Sequence, residues 1–200
     1  MKGLLYSLLF MLVFSPPAAA GKTAEVETLL KEKIDQVLII LKNKELARPE
    51  RHDLILKVVS PVFDFQLMAK LSLGKKYWPG LGAEKRGEYS DIFIKKMQQS
   101  YLDKLDIYSG EDMIYDPPVV LGKKVHMRTY LDSKDSKLEI MYKFYKSSAG
   151  WLIYDLEVAG VSTVQTYRSQ FDGVLRDGTI DDLIAKLKKA ETFPDGESKK

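Results

Sequence analysis

The feature that most restricts the fold of this chain is a double change in the spacing of its apolar residues. From Val26 to Leu41 those at 26, 29, 30, 34, 37, 38 and 41 make one face of a helix with a period of 3.6. From Met113 to Val158 the period is 2, and "KVHMRTYLD" alternates Val125, Met127, Thr129 and Leu131 with His126, Arg128, Tyr130 and Asp132. After Gly160 the helical period returns, with Val164, Tyr167, Phe171 and Val174 on one face. Helices, a meander of strands, then helices again imply an α+β domain: an antiparallel sheet with its helices gathered on one face.

Punctuation refines this outline. Pro49 suits the first turn of a second helix that runs to about Val59 and is stopped by Pro61, and Asp64 is placed to cap a third that ends near Gly74. "WPGLG" (Trp78 to Gly82) breaks the chain before a long helix over about Ala83–Asp106, whose Tyr89, Ile92, Phe93, Ile94, Met97, Tyr101 and Leu105 form a wide apolar stripe. At ~1.5 Å per residue it is roughly 35 Å long, enough to cross a domain. Met113 to Tyr115 reads as a short strand ended by Pro117 and Pro118, and polar "SKDSK" as a hairpin turn. Leu138, Ile140, Tyr142 and Phe144 then alternate inward against Glu139, Met141, Lys143 and Tyr145. Strict alternation after "SSAG" puts Leu152, Tyr154, Leu156 and Val158 inward and sends Trp151, Ile153, Asp155 and Glu157 to the other face. Ser162 caps the helix after Gly160, and a last helix spans Thr179 to about Lys189.

The start of the chain carries an address. Lys2 precedes a largely apolar run from Leu4 to Phe14, and Pro16 and Pro17 lead into Ala18, Ala19 and Ala20. This is the pattern of a secretory signal peptide, too short to span a membrane, with cleavage expected after Ala20 and the periplasm as destination. The expected organisation is a signal peptide over 1–20, one α+β domain over 21–190 and a polar tail over 191–200. There is no Cys, which excludes disulfides, thiolate metal sites and cysteine nucleophiles. With 31 basic and 28 acidic residues, the charge balance is too even for a nucleic-acid binder.

Few side chains offer catalytic chemistry. The two His, His52 and His126, are far apart and on different kinds of element, so no metal site is expected. No G-x-S-x-G elbow exists, and neither "LGKK" (Leu73–Lys76, Leu121–Lys124) has the upstream Gly or following Ser/Thr of a phosphate loop. The enzyme alternative is a small-molecule catalyst with the cone shape of steroid isomerases, using Asp155 or Asp64 as general base. Against it, Asp155 alternates to the polar face and Asp64 serves as a cap. No catalytic residue and no cofactor are expected.

What stands out is the apolar inventory: seven Met, eleven Tyr and eight Phe. Phe93, Met97 and Tyr101 of the long helix, Met127, Ile140, Tyr142, Phe144 and Tyr154 of the sheet, and Val164, Tyr167 and Phe171 after Gly160 fall on faces that should converge. Two outcomes suit such a set. One is a solid core; the other is an apolar pocket, for which adaptable Met and polar-tipped Tyr are well fitted.

Three segments carry a family resemblance: "FDFQLMAKLSLGKKYW", "EKRGEYSDIFIKKMQQSYLDKLDIY", and "WLIYDLEVAGVSTVQTYRSQF" followed by "GTIDDLIAKLK". Their order and spacing resemble the MlaC-type periplasmic phospholipid-binding proteins, also called the toluene-tolerance family. The resemblance implies a fold like that of the nuclear transport factors, enclosing the acyl tails of a bound phospholipid. It further implies a shuttle between an outer-membrane lipoprotein-porin complex and an inner-membrane ABC transporter of the MCE type, maintaining outer-membrane lipid asymmetry. Some relatives are associated with hopanoids, so a polycyclic lipid is an alternative cargo. It singles out Arg168, either as a contact for lipid phosphate or as an ion pair to Asp155 or Glu157. The helical third up to about Val59 carries no family motif.

Overall fold

A computed structural model of the protein describes residues 17–133 and 136–189. The expected signal peptide up to residue 16 and the polar tail over 191–200 lie outside the described residues. The helices are α1 (Pro17–Lys42), α2 (Arg48–Val59), α3 (Phe65–Tyr77), α4 (Ala83–Leu105), α5 (Thr163–Leu175) and α6 (Ile180–Lys189), with one 3-10 turn at Trp78–Gly80. The strands are β1 (Asp112–Tyr115), β2 (Val119–Leu121), β3 (Lys124–Asp132), β4 (Lys137–Ser147), β5 (Gly150–Val158) and β6 (Val161–Ser162). All pair antiparallel in the order β1-β3-β4-β5-β6, and β2 shares the β1 edge of β3. Strand β2 escapes sequence reading because three residues are too few to show a period.

Local chemistry explains most boundaries. The Asp64 carboxylate accepts from the Leu67 N–H (2.8 Å) and caps α3 as expected. Gly74 does end a helix, but only locally: at φ 67 it bends α3, and a second short turn continues to Tyr77. Ala159 (φ 49) and Gly160 (φ 79) form a two-residue turn between Val158 and Val161, with both residues left-handed, as tight hairpins require. The chain then enters α5 through Ser162, whose Oγ accepts from the Gln165 N–H (3.2 Å).

One irregularity re-aims a strand. Along β4–β5 the register shifts between Lys143 and Phe144, so that Lys143 pairs with Asp155 but Phe144 pairs with Ile153. The extra residue, Tyr154, is a β-bulge. It reverses the expected alternation in the first half of β5, so Trp151 and Ile153 turn inward with Leu156 in one buried cluster. Strict period-2 reading held after the bulge and failed before it.

The interior packs in two large layers and one small cluster of Leu41, Ile55 and Leu102. Residues from α3, α4, α5 and α6 pack into one layer around Tyr89, Phe93, Tyr167 and Phe171. A second layer joins Val26, Leu30 and Ile34 of α1 to Val125, Met127, Phe144, Trp151, Ile153 and Leu156 of the sheet. The other sheet face is polar: Arg128 pairs with Glu139 (3.1 Å), Lys143 with Glu157 (2.8 Å), and Lys124 lies over the Tyr154 ring. Among the described residues no helix is long and apolar enough to cross a membrane.

Candidate functional site

Between the two packed layers the elements splay, and a cavity of about 520 Å³ remains. This lies within the range of roughly 300–1,000 Å³ typical of small-molecule sites. Its walls are Leu29 to Leu41 of α1, Ile55, Leu56 and Val59 of α2, Met97 to Leu105 of α4, and Ile140, Tyr142 and Phe144 of β4. Ile140 and Tyr142 are only partly buried although they stand on the inward face of the sheet, because open space faces them. Burial pushes the Tyr142 hydroxyl upward, so it stays a neutral group at any physiological pH.

Charge is confined to three lining residues, Lys33, Lys104 and Glu111. Ile107 (81 % exposed) and Leu138 (41 % exposed) also line the cavity, as do Ser133 and Ser136, and these exposed residues mark where it opens. The mouth therefore lies between the end of α4 and the β3–β4 hairpin. A largely apolar wall of this kind is suited to hydrocarbon.

The sequence-predicted residues divide between cavity and core. Met97, Tyr101, Ile140, Tyr142 and Phe144 line the cavity; Phe93, Met127, Tyr154, Val164, Tyr167 and Phe171 do not. The space beneath α5 is solid: the Phe93 ring meets Tyr167 edge-on at 5.1 Å, Phe171 at 6.0 Å, and Tyr89 in a stack at 5.8 Å. Val164 is buried in the same layer, and Met127 is fully buried in the other. Tyr154 lies on the outer face, edge-on to Tyr145 (6.2 Å) and 3.3 Å from His126, because the bulge turns it there. Helical spacing identifies which side faces inward, but not whether another side chain or empty space meets it.

Arg168 pairs with neither Asp155 nor Glu157. Its Nε and Nη2 donate to the Leu71 carbonyl (2.9 and 2.5 Å), where the bend of α3 frees that oxygen. Asp155 is buried rather than on a solvated face. It accepts from Lys143 Nζ (3.1 Å), Ser162 Oγ (2.7 Å) and the Val164 N–H (3.1 Å), and so fixes the start of α5 to β5. Asp64 is occupied by its cap and by the Tyr145 hydroxyl. Neither carboxylate lines the cavity. Among the described residues no group of three or more His, Cys, Asp or Glu is placed to hold a metal ion; His52 bonds Asp106 (2.9 Å) and His126 faces Tyr154.

The model of the family described as MlaC protein matches residues 31–189. The chain belongs to the MlaC family. The intermembrane phospholipid transport system binding protein MlaC of Haemophilus influenzae is 25% identical over 150 residues, covering 72% of this chain and 67% of that protein. The phospholipid-binding protein of Ralstonia solanacearum, solved in complex with a phospholipid, shares the fold. Its TM-score is 0.72 at 22% identity, over 81% of this chain and 94% of that one.

Within this MlaC chain, the largest contribution that sequence reading missed comes from α1 and α2. Their residues Leu29, Leu38, Leu41, Ile55, Leu56 and Val59 form the wall opposite the sheet. A signal for α1 was present: nine apolar residues in the sixteen from Val26 to Leu41 make a face broader than one sheet edge covers. For α2 the signal is weak, since only Ile55 is fully buried in its twelve residues.

Proposed function

We propose that this chain is a noncatalytic phospholipid carrier of the periplasm, exported by residues 1–20 and folded as one lipid-binding domain over 21–190. The acyl tails lie in the cavity between α1, α2, α4 and the sheet, and the head group stays at the mouth near Lys33, Lys104 and Ser133. The observation that carries this reading is the largely apolar wall, in which only Lys33, Lys104 and Glu111 are charged. Membership of the MlaC family, and the phospholipid named for both relatives, support it.

Energetics decide how such a carrier works. Two tails of about 16 carbons, at roughly 0.8 kcal/mol per methylene, correspond to about 25 kcal/mol relative to water, beyond the practical ceiling near 20 for noncovalent affinity. Water is therefore the wrong reference state. The donor already keeps the tails dry, and transfer from one apolar environment to another is close to balanced. The carrier then has to touch its donor and its acceptor. We assign these roles to an outer-membrane lipoprotein-porin complex and an inner-membrane ABC transporter of the MCE type.

Protein purified from cells and extracted with solvent is expected to yield phospholipid at about one molecule per chain by mass spectrometry. A folded protein that carries none, and takes none from vesicles, overturns the reading.

A further inference from the structure

The walls of the cavity are not equally anchored. α1 is packed on the sheet through Val26, Leu30 and Ile34, and Glu25 Oε2 ties its start by accepting from Trp151 Nε1 (2.8 Å) and Lys146 Nζ (2.6 Å). α4 is locked into the aromatic layer through Tyr89, Phe93 and Met97. α2 is different. Ile55 is its one fully buried side chain, packed with Leu41 and Leu102 in the smallest of the buried clusters, against which Leu56 and Val59 also rest.

The two ends of α2 are also held by different forces. Just beyond its C-terminus the main chain is bonded to the sheet: the Ile153 N–H donates to the Val62 carbonyl (2.8 Å), and the Asp64 N–H donates to the Ile153 carbonyl (2.9 Å). At the N-terminus Ala47 provides no side-chain cap, and the contacts are ionic. Arg48 Nε donates to Asp106 Oδ2 (2.6 Å), Arg51 Nη2 to Oδ1 (2.8 Å), and His52 Nε2 lies 3.0 and 2.9 Å from the two oxygens. Arg48 Nη2 also reaches Asp103 Oδ1 (2.6 Å), which accepts from Gln99 as well. Positions 48, 51, 52 and 55 are one stripe of a helix, so a single face of α2 meets the end of α4. Asp106 is the C-cap of α4 and precedes Ile107 at the mouth.

We propose that α2 is the gate of the cavity, hinged at Val62–Asp64 and latched by Asp106. This rests on the reading of the cavity as the seat of the lipid. A guest with two tails and a head group has to displace a wall in order to enter. Swinging α2 outward uncovers Ile55 with the partly buried Leu56 and Val59, and parts a part-buried ion cluster at the edge of the fold, where water replaces the broken bonds. Moving α1 or α4 breaks a packed layer instead. The latched end lies beside the mouth, so release there widens the existing opening.

The test uses the full chain loaded with pyrene-labelled phosphatidylglycerol and mixed with unlabelled phosphatidylglycerol/phosphatidylethanolamine vesicles. Asp106→Asn is expected to release the probe about tenfold faster, the factor equivalent to about 1.4 kcal/mol. Equilibrium loading is expected to stay unchanged, because Asp106 does not line the cavity. In lipid-free protein the same substitution is expected to speed hydrogen exchange over residues 48–59 and leave β3 and β4 unaffected. Arg48→Gln is expected to do the same more weakly, and it carries the test if Asp106→Asn does not fold. Unchanged release together with unchanged exchange in α2 overturns the latch, as does acceleration spread evenly over the sheet. A chain that takes up no probe overturns the carrier reading instead, and the exchange comparison still decides whether Asp106 holds α2.

Discussion

Arg168 on α5 donates twice to the carbonyl oxygen of Leu71 on α3, across the bend that Gly74 introduces. Gly74 itself lies against the Arg168 stem, and a Cβ built there would stand 3.2 Å from Nε. A charged side chain thus closes the break in a helix 97 positions away.

Removing that closure leaves a part-buried carbonyl without its donor. Arg168→Met, which keeps most of the stem, is expected to cost about 1.5–3 kcal/mol in urea denaturation. Gly74→Ala, forced to φ 67 and ψ -173, is expected to cost about 1–3 kcal/mol for the backbone alone. Lipid loading is expected to survive both; its loss in Arg168→Met at full folding would restore the phosphate-contact role.

Filling hollow and solid regions should give opposite results. Leu38→Trp, on the cavity wall, is expected to lower lipid content in extracts while leaving stability nearly unchanged. Val164→Trp, in the aromatic layer, is expected to destabilise by about 1–3 kcal/mol through overpacking and leave lipid content per folded molecule intact. The reverse pattern would move the ligand back beneath α5.

Asp155 anchors α5 rather than any reaction. Asp155→Ala leaves the Val164 N–H, Ser162 and Lys143 without a shared acceptor, and a loss of about 3 kcal/mol in thermal or urea unfolding is expected, as for broken buried ion pairs. An unaltered melting temperature would show that β5 and α5 are joined by packing alone.

Acid should loosen the protein at two places. Burial pulls the Asp106 carboxyl upward, and hydrogen bonds from Arg51, Arg48 and His52 more than reverse this, holding it down to about 2. Lys76, then Tyr77, likewise hold Asp172 down to about 2. Both lie below the ordinary value of 3.8, so the stability they add is complete above that pH and is lost as pH falls toward 2. The melting temperature is expected to drop between about pH 4 and pH 2, and less so in Asp106→Asn. An identical slope in the variant would remove Asp106 from the account.

Period and punctuation made the elements legible: Asp64 and Ser162 cap helices where the residues said they would. The bulge at Tyr154 was not legible, because one inserted residue leaves every neighbouring side chain a plausible occupant of either face. The location of the cavity was hidden for a related reason. Phe93, Tyr167 and Phe171 have the same inward spacing as Met97 and Tyr101, yet the first group meets other rings and the second meets a void. Leu29, Leu38 and Leu56 were legible as apolar, but not as a wall, since that depends on how far α1 and α2 stand from the sheet.

The division of the interior into a filled half and an open half has a mechanical consequence. Buried side chains from four helices brace the frame by themselves, so the fold is expected to hold its shape with the open half empty.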